Sequence, residues 1–225
     1  MTENHFIELI DVTKTYSLGS NPVVALDRLD LQVSRGEFLA ITGKSGCGKS
    51  TLINILGGLD TPDQGRVLID GEDLTQMDDR RLTLFRRGQI GIVFQFFNLL
   101  PILNLEENIL LPHLLNGGSD RAGSPTDHLL REMGLYERRN HKPHELSGGE
   151  LQRAAICRAM IDDPEIILAD EPTGNLDPDL TADIINLLIL LNTKGTTVVV
   201  ATHDADLIQR YRKRAINLCK GHVIE

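Results

Sequence analysis

Predominantly apolar runs at Phe38–Thr42, Ile90–Phe94, Ile166–Asp170, Thr196–Thr202 and Ala215–Cys219 alternate with polar, glycine-containing stretches along the chain. Short, mostly apolar segments of this kind read as buried strands, so these five predict a parallel core sheet with helices between its strands. Three other stretches, Phe6–Val12, Val23–Val33 and Arg66–Asp70, carry alternation or β-branched residues, with turns at Asp63-Gln64-Gly65 and near Gly36. They predict an antiparallel β-lobe. From Phe96 to Met160 the β signal fades, which predicts a helical subdomain. It is interrupted at Asn116-Gly117-Gly118-Ser119-Asp120, a flexible segment too polar and glycine-rich to pack well. Together these elements predict an α/β fold: a mixed sheet core, an antiparallel β-lobe and a helical subdomain at about 96–160, all in one domain over 1–225.

Composition changes this picture little. At 225 residues and 41% hydrophobic content the chain has ample material for a core. Its longest apolar run, Leu187–Leu191, is far below the roughly 18 residues of a spanning helix, so membrane-embedded machinery is expected in another chain. The start, Met1-Thr2-Glu3-Asn4-His5, is not basic and no apolar core follows, which argues against a signal peptide. A net charge of −9 argues against a nucleic-acid-binding face, which needs clustered Lys and Arg. The exception, Arg210, Arg212, Lys213 and Arg214, reads as a solvated helix end. Cys47, Cys157 and Cys219 have no C-x-x-C spacing and suit a reducing cytosol. His141 and His144 lack the neighbours that would complete a metal site.

Candidate chemistry begins at Gly43–Ser50, which fits G-x-x-x-x-G-K-[ST] through Gly43, Gly48, Lys49 and Ser50. A strand-like run precedes it and the helix-like Thr51–Leu56 follows, the context this loop requires. Glycines let backbone N–H groups converge on phosphate oxygens, and the helix N-terminus adds partial positive charge. Lys49 is expected to reach the β- and γ-phosphates and Ser50 to ligate Mg²⁺. Lys44, Ser45, Gly46 and Cys47 fill the loop and Thr51 follows it, with Lys44 expected to point to solvent. Cys47, beside Lys44 and Lys49 near a helix N-terminus, is expected to favour thiolate and to react with alkylating reagents. Downstream, Asp170 and Glu171 end a buried strand: Asp170 is expected to hold Mg²⁺ through water, and Glu171 to deprotonate an attacking water. Leu146–Glu150 (LSGGE) precedes a helix over Glu150–Met160. Ser147, Gly148 and Gly149 can offer N–H groups to a second anion, while Ser147 and Glu150 also form a capping box.

This set resembles the nucleotide-binding subunit of an ABC transporter, a P-loop NTPase, over essentially the whole chain. The resemblance covers Walker A (Gly43–Thr51), the signature (Leu146–Glu150), Walker B (Ile166–Glu171), the Q-loop Gln95, the D-loop Asn175-Leu176-Asp177 and the switch His203. It implies ATP and Mg²⁺ as cofactors and Tyr16 as the aromatic that stacks on adenine. It further implies that Gln95 contacts Mg²⁺ and reports to the membrane partner, and that His203 holds the γ-phosphate and Glu171 in register. Glu150 stands where many members have Gln. The family works as a head-to-tail homodimer on ATP binding, attached to an integral membrane permease at the cytoplasmic face.

Gln95–Pro101 (QFFNLLP), Glu106–Ile109 (EENI) and Asp170–Asp177 (DEPTGNLD) are similar to the lipoprotein-release and macrolide-efflux branch. That implies efflux or extraction of a hydrophobic, peptide or lipoprotein substrate. Apolar Phe96, Phe97, Leu99, Leu100, Ile102, Leu103 and Leu105 beside Gln95 are expected to leave a patch exposed for the permease. Other readings of the same engine are a regulatory ATPase controlling an extracytoplasmic cell-wall hydrolase or a ligand-sensing complex, and an importer ATPase. A DNA-repair or chromosome-organising ATPase would need sustained heptads between P-loop and signature, and none occur.

Overall fold

The computed structural model describes residues 5–18, 21–118, 125–174, 176–204 and 209–224. Among these, β1 (Ile7–Leu18), β2 (Asn21–Val33), β4 (Gln64–Ile69) and β5 (Glu72–Asp73) form an antiparallel sheet in the order β2-β1-β4-β5. The expected β-lobe is present. The turn expected at Asp63-Gln64-Gly65 ends two residues early, at Asp63, because Asp63 N–H donates to Thr13 O and Gln64 already pairs with Thr13 as the first residue of β4.

The second sheet runs β10-β9-β3-β8-β7-β6 and comprises β3 (Phe38–Thr42), β6 (Ile90–Val93), β7 (Ile166–Asp170), β8 (Thr197–Thr202), β9 (Arg214–Cys219) and β10 (His222–Ile224). β9, β3, β8, β7 and β6 are mutually parallel, as their apolar runs predicted, and β10 pairs antiparallel on β9. Side chains of a strand alternate between faces. Leu39 and Ile41 of β3, Leu168 of β7 and Val199 and Ala201 of β8 therefore pack with Leu52, Ile53, Ile55 and Leu56 of α1 (Lys49–Leu56) and with the β-lobe. Phe38, Ile167, Ala169, Val198 and Val200 face the other way. They pack on Ile184, Ile185, Leu188 and Leu191 of α6 (Pro178–Thr193) and on Ile156 of α5 (Gly148–Met160).

α2 (Asp79–Gln89) leads into β6, and α3 (Leu105–Leu115), α4 (Pro125–Glu132) and α5 pack around Leu105, Ile109, Leu130, Leu135, Ala154 and Cys157, the core of the helical subdomain. Ser119 and Asp120 of the segment read as flexible lie outside the described residues. The basic cluster departs from expectation. Arg210 is helical, but Arg214 opens β9 opposite Leu39 and binds Glu37 Oε1 at 2.8 Å, while Lys213 donates to Asn192 Oδ1 at 3.0 Å. Strand pairing places Arg214 on the sheet, where a carboxylate meets it, so the four basic residues are not one solvated helix end.

Candidate active site

Between the end of β3 at Thr42 and the start of α1 at Lys49 the chain reverses in six residues. Gly43 and Gly48 make this feasible. Their φ values are +148° and +110°, and a Cβ on either would lie 2.3 Å from a carbonyl oxygen, of Leu218 or of Ala25. Asp78, Asn104, Ser147 and Asp177 cap α2, α3, α5 and α6 with their side chains, but no side chain caps α1 at Gly48. Its first N–H groups and partial positive charge are thereby kept for an anion.

Lys49 is buried, and its Nζ donates to Gly43 O at 2.8 Å and to Lys44 O at 3.4 Å. It also lies 3.3 Å from Glu171 Oε1. Parallel pairing of β7 with β8, with Asp170 opposite Ala201, brings Glu171 and His203 out at one sheet edge. Glu171 adopts φ +47°, its N–H donates to Ala201 O at 2.9 Å, and its Oε2 sits 2.7 Å from His203 Nδ1 and 3.3 Å from His203 N. Gln95 follows β6, the neighbour of β7, and its amide lies against Gly174. A cavity of about 330 Å³ opens here, lined by Ser45, Gly46, Gly48, Lys49, Ser50, Thr51, Gln95, Glu171 and His203, with Val23 and Ala25 of the β-lobe.

Asp170 lies deeper. Burial pushes its carboxyl above the ordinary carboxylate range and the Glu171 charge adds to this, against a hydrogen bond from Ser50 and the Lys49 cation. Its Oδ1 is buried without a hydrogen-bond partner among the described residues. A hydroxyl, a carboxylate with an unspent oxygen and the Gln95 amide are oxygen donors of the kind Mg²⁺ takes. The residues fit MgATP. Ser50, Asp170 and Gln95 would hold the metal, and Lys49 with the α1 N-terminus would hold the phosphates.

Other expected residues lie apart from this cavity in the single chain. Ser147 caps α5, accepting from Glu150 N at 3.3 Å, while Glu150 Oε2 accepts from Ser147 N at 2.8 Å and Oε1 from Arg138 Nε at 3.1 Å. These bonds, the Ser147 N–H foremost, hold the Glu150 carboxyl below its usual range despite some burial. A Cβ on Gly149 would lie 2.9 Å from Leu180, so the signature loop packs tightly on the start of α6. Asp177 caps that helix through Leu180 N at 2.9 Å, and Asn175 lies outside the described residues.

Tyr16 stands at the cavity rim: its cross-strand partner Val23 lines it. Lys44 is exposed as expected. Cys47 corrects its expectation. Its backbone belongs to the loop, but the thiol is buried in the core against Gly43, away from reagents. Sequence reasoning missed Val23 and Ala25, which carry no chemical signal, and Arg158. From α5 the Arg158 guanidinium donates to Phe97 O at 2.7 Å and Asn98 O at 2.5 Å, holding two residues at φ +60° and +51° just after Gln95.

A glycine loop on an uncapped helix, a partly buried carboxylate behind its serine, and a second carboxylate between a lysine and a histidine define a P-loop ATPase of the ATP-binding-cassette type, whose cofactors are ATP and Mg²⁺. The chain belongs to the ABC transporter family, whose model matches residues 26–174. It is 44% identical over 220 residues to the macrolide export ATP-binding/permease protein MacB of Hyphomonas neptunium, a match covering 97% of this chain and 34% of that protein. It therefore spans about a third of MacB's length. It is also 43% identical over 223 residues to the lipoprotein-releasing system ATP-binding protein LolD of Roseobacter denitrificans, covering 98% of each. The dimeric post-hydrolysis structure of the ATP-binding cassette MJ0796 bound to ADP and Pi matches with TM-score 0.90 and 43% identity over 97% of both chains. That cassette comes from Methanocaldococcus jannaschii.

Proposed function

We propose that the chain hydrolyses ATP as one half of a homodimer and transmits dimer closure to a separate integral membrane permease at the cytoplasmic face of the membrane. The observation that carries this is the Glu171 carboxylate, held 3.3 Å from Lys49 Nζ and 2.7 Å from His203 Nδ1 at the mouth of the P-loop cavity. A carboxylate fixed on two sides and facing the cavity is placed to take a proton from an attacking water. Lys49 and the free N–H groups of α1 stabilise charge on the transferring phosphoryl group, and His203 keeps Glu171 oriented. When bound, Mg²⁺ neutralises charge on the β- and γ-phosphates.

Tyr16 stacks on the adenine. Ser147, Gly148, Gly149, Glu150 and Asp177, remote from the chain's own cavity, serve the nucleotide of the partner copy, which makes the interface two-fold with two nucleotides in it. The dimeric state of MJ0796 supports this arrangement. Phe96 and Ile102, 72% and 78% exposed, with exposed Leu100, form the patch that receives the permease beside Gln95. No helix among the described residues is long and apolar enough to cross a membrane. Kinship with MacB and LolD supports efflux or extraction of a hydrophobic, peptide or lipoprotein substrate. Purification with the bound membrane protein tests this. A partner with few spans and a large extracytoplasmic domain supports extraction, and a many-span importer-type permease overturns it.

A further inference from the structure

The register of β1 on β2 shifts between Leu9 and Val12, between Val12 and Lys14, and between Lys14 and Thr15. Bulges re-aim side chains. Here they turn Lys14 inward until it is 9% exposed, a rare position for a lysine. Its Nζ donates to Asp60 Oδ1 at 2.6 Å and to Thr61 O at 2.7 Å. The other oxygen of the same carboxylate, Asp60 Oδ2, accepts from the Tyr16 hydroxyl at 2.7 Å. The Lys14 ammonium also lies 5.3 Å from the centroid of the Tyr16 ring. Asp60 is itself fixed to α1, since the N–H groups of Leu59 and Asp60 donate to Asn54 O at 2.8 and 3.3 Å.

A tyrosine recruited only for packing would bury its ring. Tyr16 instead leaves 36% of its surface open while its hydroxyl is held by a charged acceptor. We propose that Asp60, backed by Lys14, is a positioning residue that fixes the Tyr16 ring in the attitude required to stack on the nucleotide base. This rests on the reading of Tyr16 as the base platform. Burial acts to raise the Asp60 carboxyl, but hydrogen bonds from Lys14, Tyr16 and Thr61 N–H outweigh it and hold the group below the usual carboxylate range, so it is an ionised acceptor at neutral pH. Through its backbone the same residue ties the platform to α1, whose first residue, Lys49, belongs to the phosphate loop. Asn54 lies five residues, about 7.5 Å of helical rise, along α1 from Lys49, so one helix carries both the anchor of the platform and the start of the phosphate loop.

The test compares equilibrium binding of MgATP with that of magnesium tripolyphosphate, which has the phosphates without the base, in the full-length chain. Asp60→Asn should weaken MgATP binding about threefold to tenfold, the scale of one hydrogen bond, and leave tripolyphosphate binding unchanged. Tyr16→Phe should reproduce that loss, and the double variant should lose no more than either single one. Equal weakening of both ligands by Asp60→Asn, or no weakening of either, overturns the proposal, as does full additivity with Tyr16→Phe. If Asp60→Asn fails to fold, Tyr16→Phe decides alone, and parental MgATP binding by that variant overturns the idea. Tyr16→Ala separates the two levels. Unchanged MgATP affinity in Tyr16→Ala removes the base-platform reading itself, whereas a loss there with none in Asp60→Asn removes only the positioning role.

Discussion

Glu171 carries the sharpest single-residue expectation. Glu171→Gln keeps the shape of the side chain and loses the proton acceptor, so steady-state hydrolysis should fall by about 10² to 10⁴-fold while ATP still binds. Parental turnover in that variant would falsify the assignment. Lys49→Ala should fail earlier, at nucleotide binding measured by calorimetry, because the buried ammonium is the chief cation of the loop. The cysteines should sort by access: Cys219 is exposed, whereas Cys47 is buried and Cys157 is buried with its thiol pushed up to about 12. Mass spectrometry after brief alkylation of the native chain should find Cys219 modified and the other two only after unfolding. Asp60, whose folded carboxyl lies below its unfolded value, contributes stability that is present above the ordinary carboxylate range and is lost as pH falls through the folded value. Asp60→Asn should therefore melt below the parent at neutral pH and converge with it in acid. A gap that persists unchanged in acid would show that the charge is not the cause.

At the scale of elements, the central parallel strands β3, β7 and β8 were legible because burial on both faces leaves an apolar run in the sequence. The start of α5 was legible because a capping box has a fixed spacing. Ser147→Ala should cost about 1 kcal/mol in urea unfolding, the usual worth of such a cap. What escaped sequence reading were β5 and β10, two and three residues long, whose pairing partners rather than their own composition make them strands. For the same reason Arg214 reads as a helix end in sequence and opens β9 in the structure. Arg158 escaped because its task, holding the turn at Phe97 and Asn98, is defined by residues about sixty positions away.

For the whole molecule, the Glu171→Gln variant should form a stable dimer with ATP and return to monomer with ADP, read by size-exclusion chromatography with light scattering. An ATP-independent monomer would refute the sandwich arrangement. Phe96→Asp or Ile102→Asp, on the most exposed apolar side chains of the patch, should abolish capture of the permease and leave the isolated subunit folded with its basal ATPase activity. Survival of the complex would place docking elsewhere.

The sequence by itself determined the class, because a P-loop, a Walker B acid pair and a signature each depend on local spacing that the chain cannot hide. It also determined the strands whose two buried faces show in composition. Only the tertiary structure decided that Glu171 lies between Lys49 and His203, that the Cys47 thiol turns into the core, and that Lys14 and Asp60 stand behind Tyr16. Those relations depend on strand order, bulges and side-chain direction, which bring residues distant in sequence within a few ångströms and have no signature along the chain.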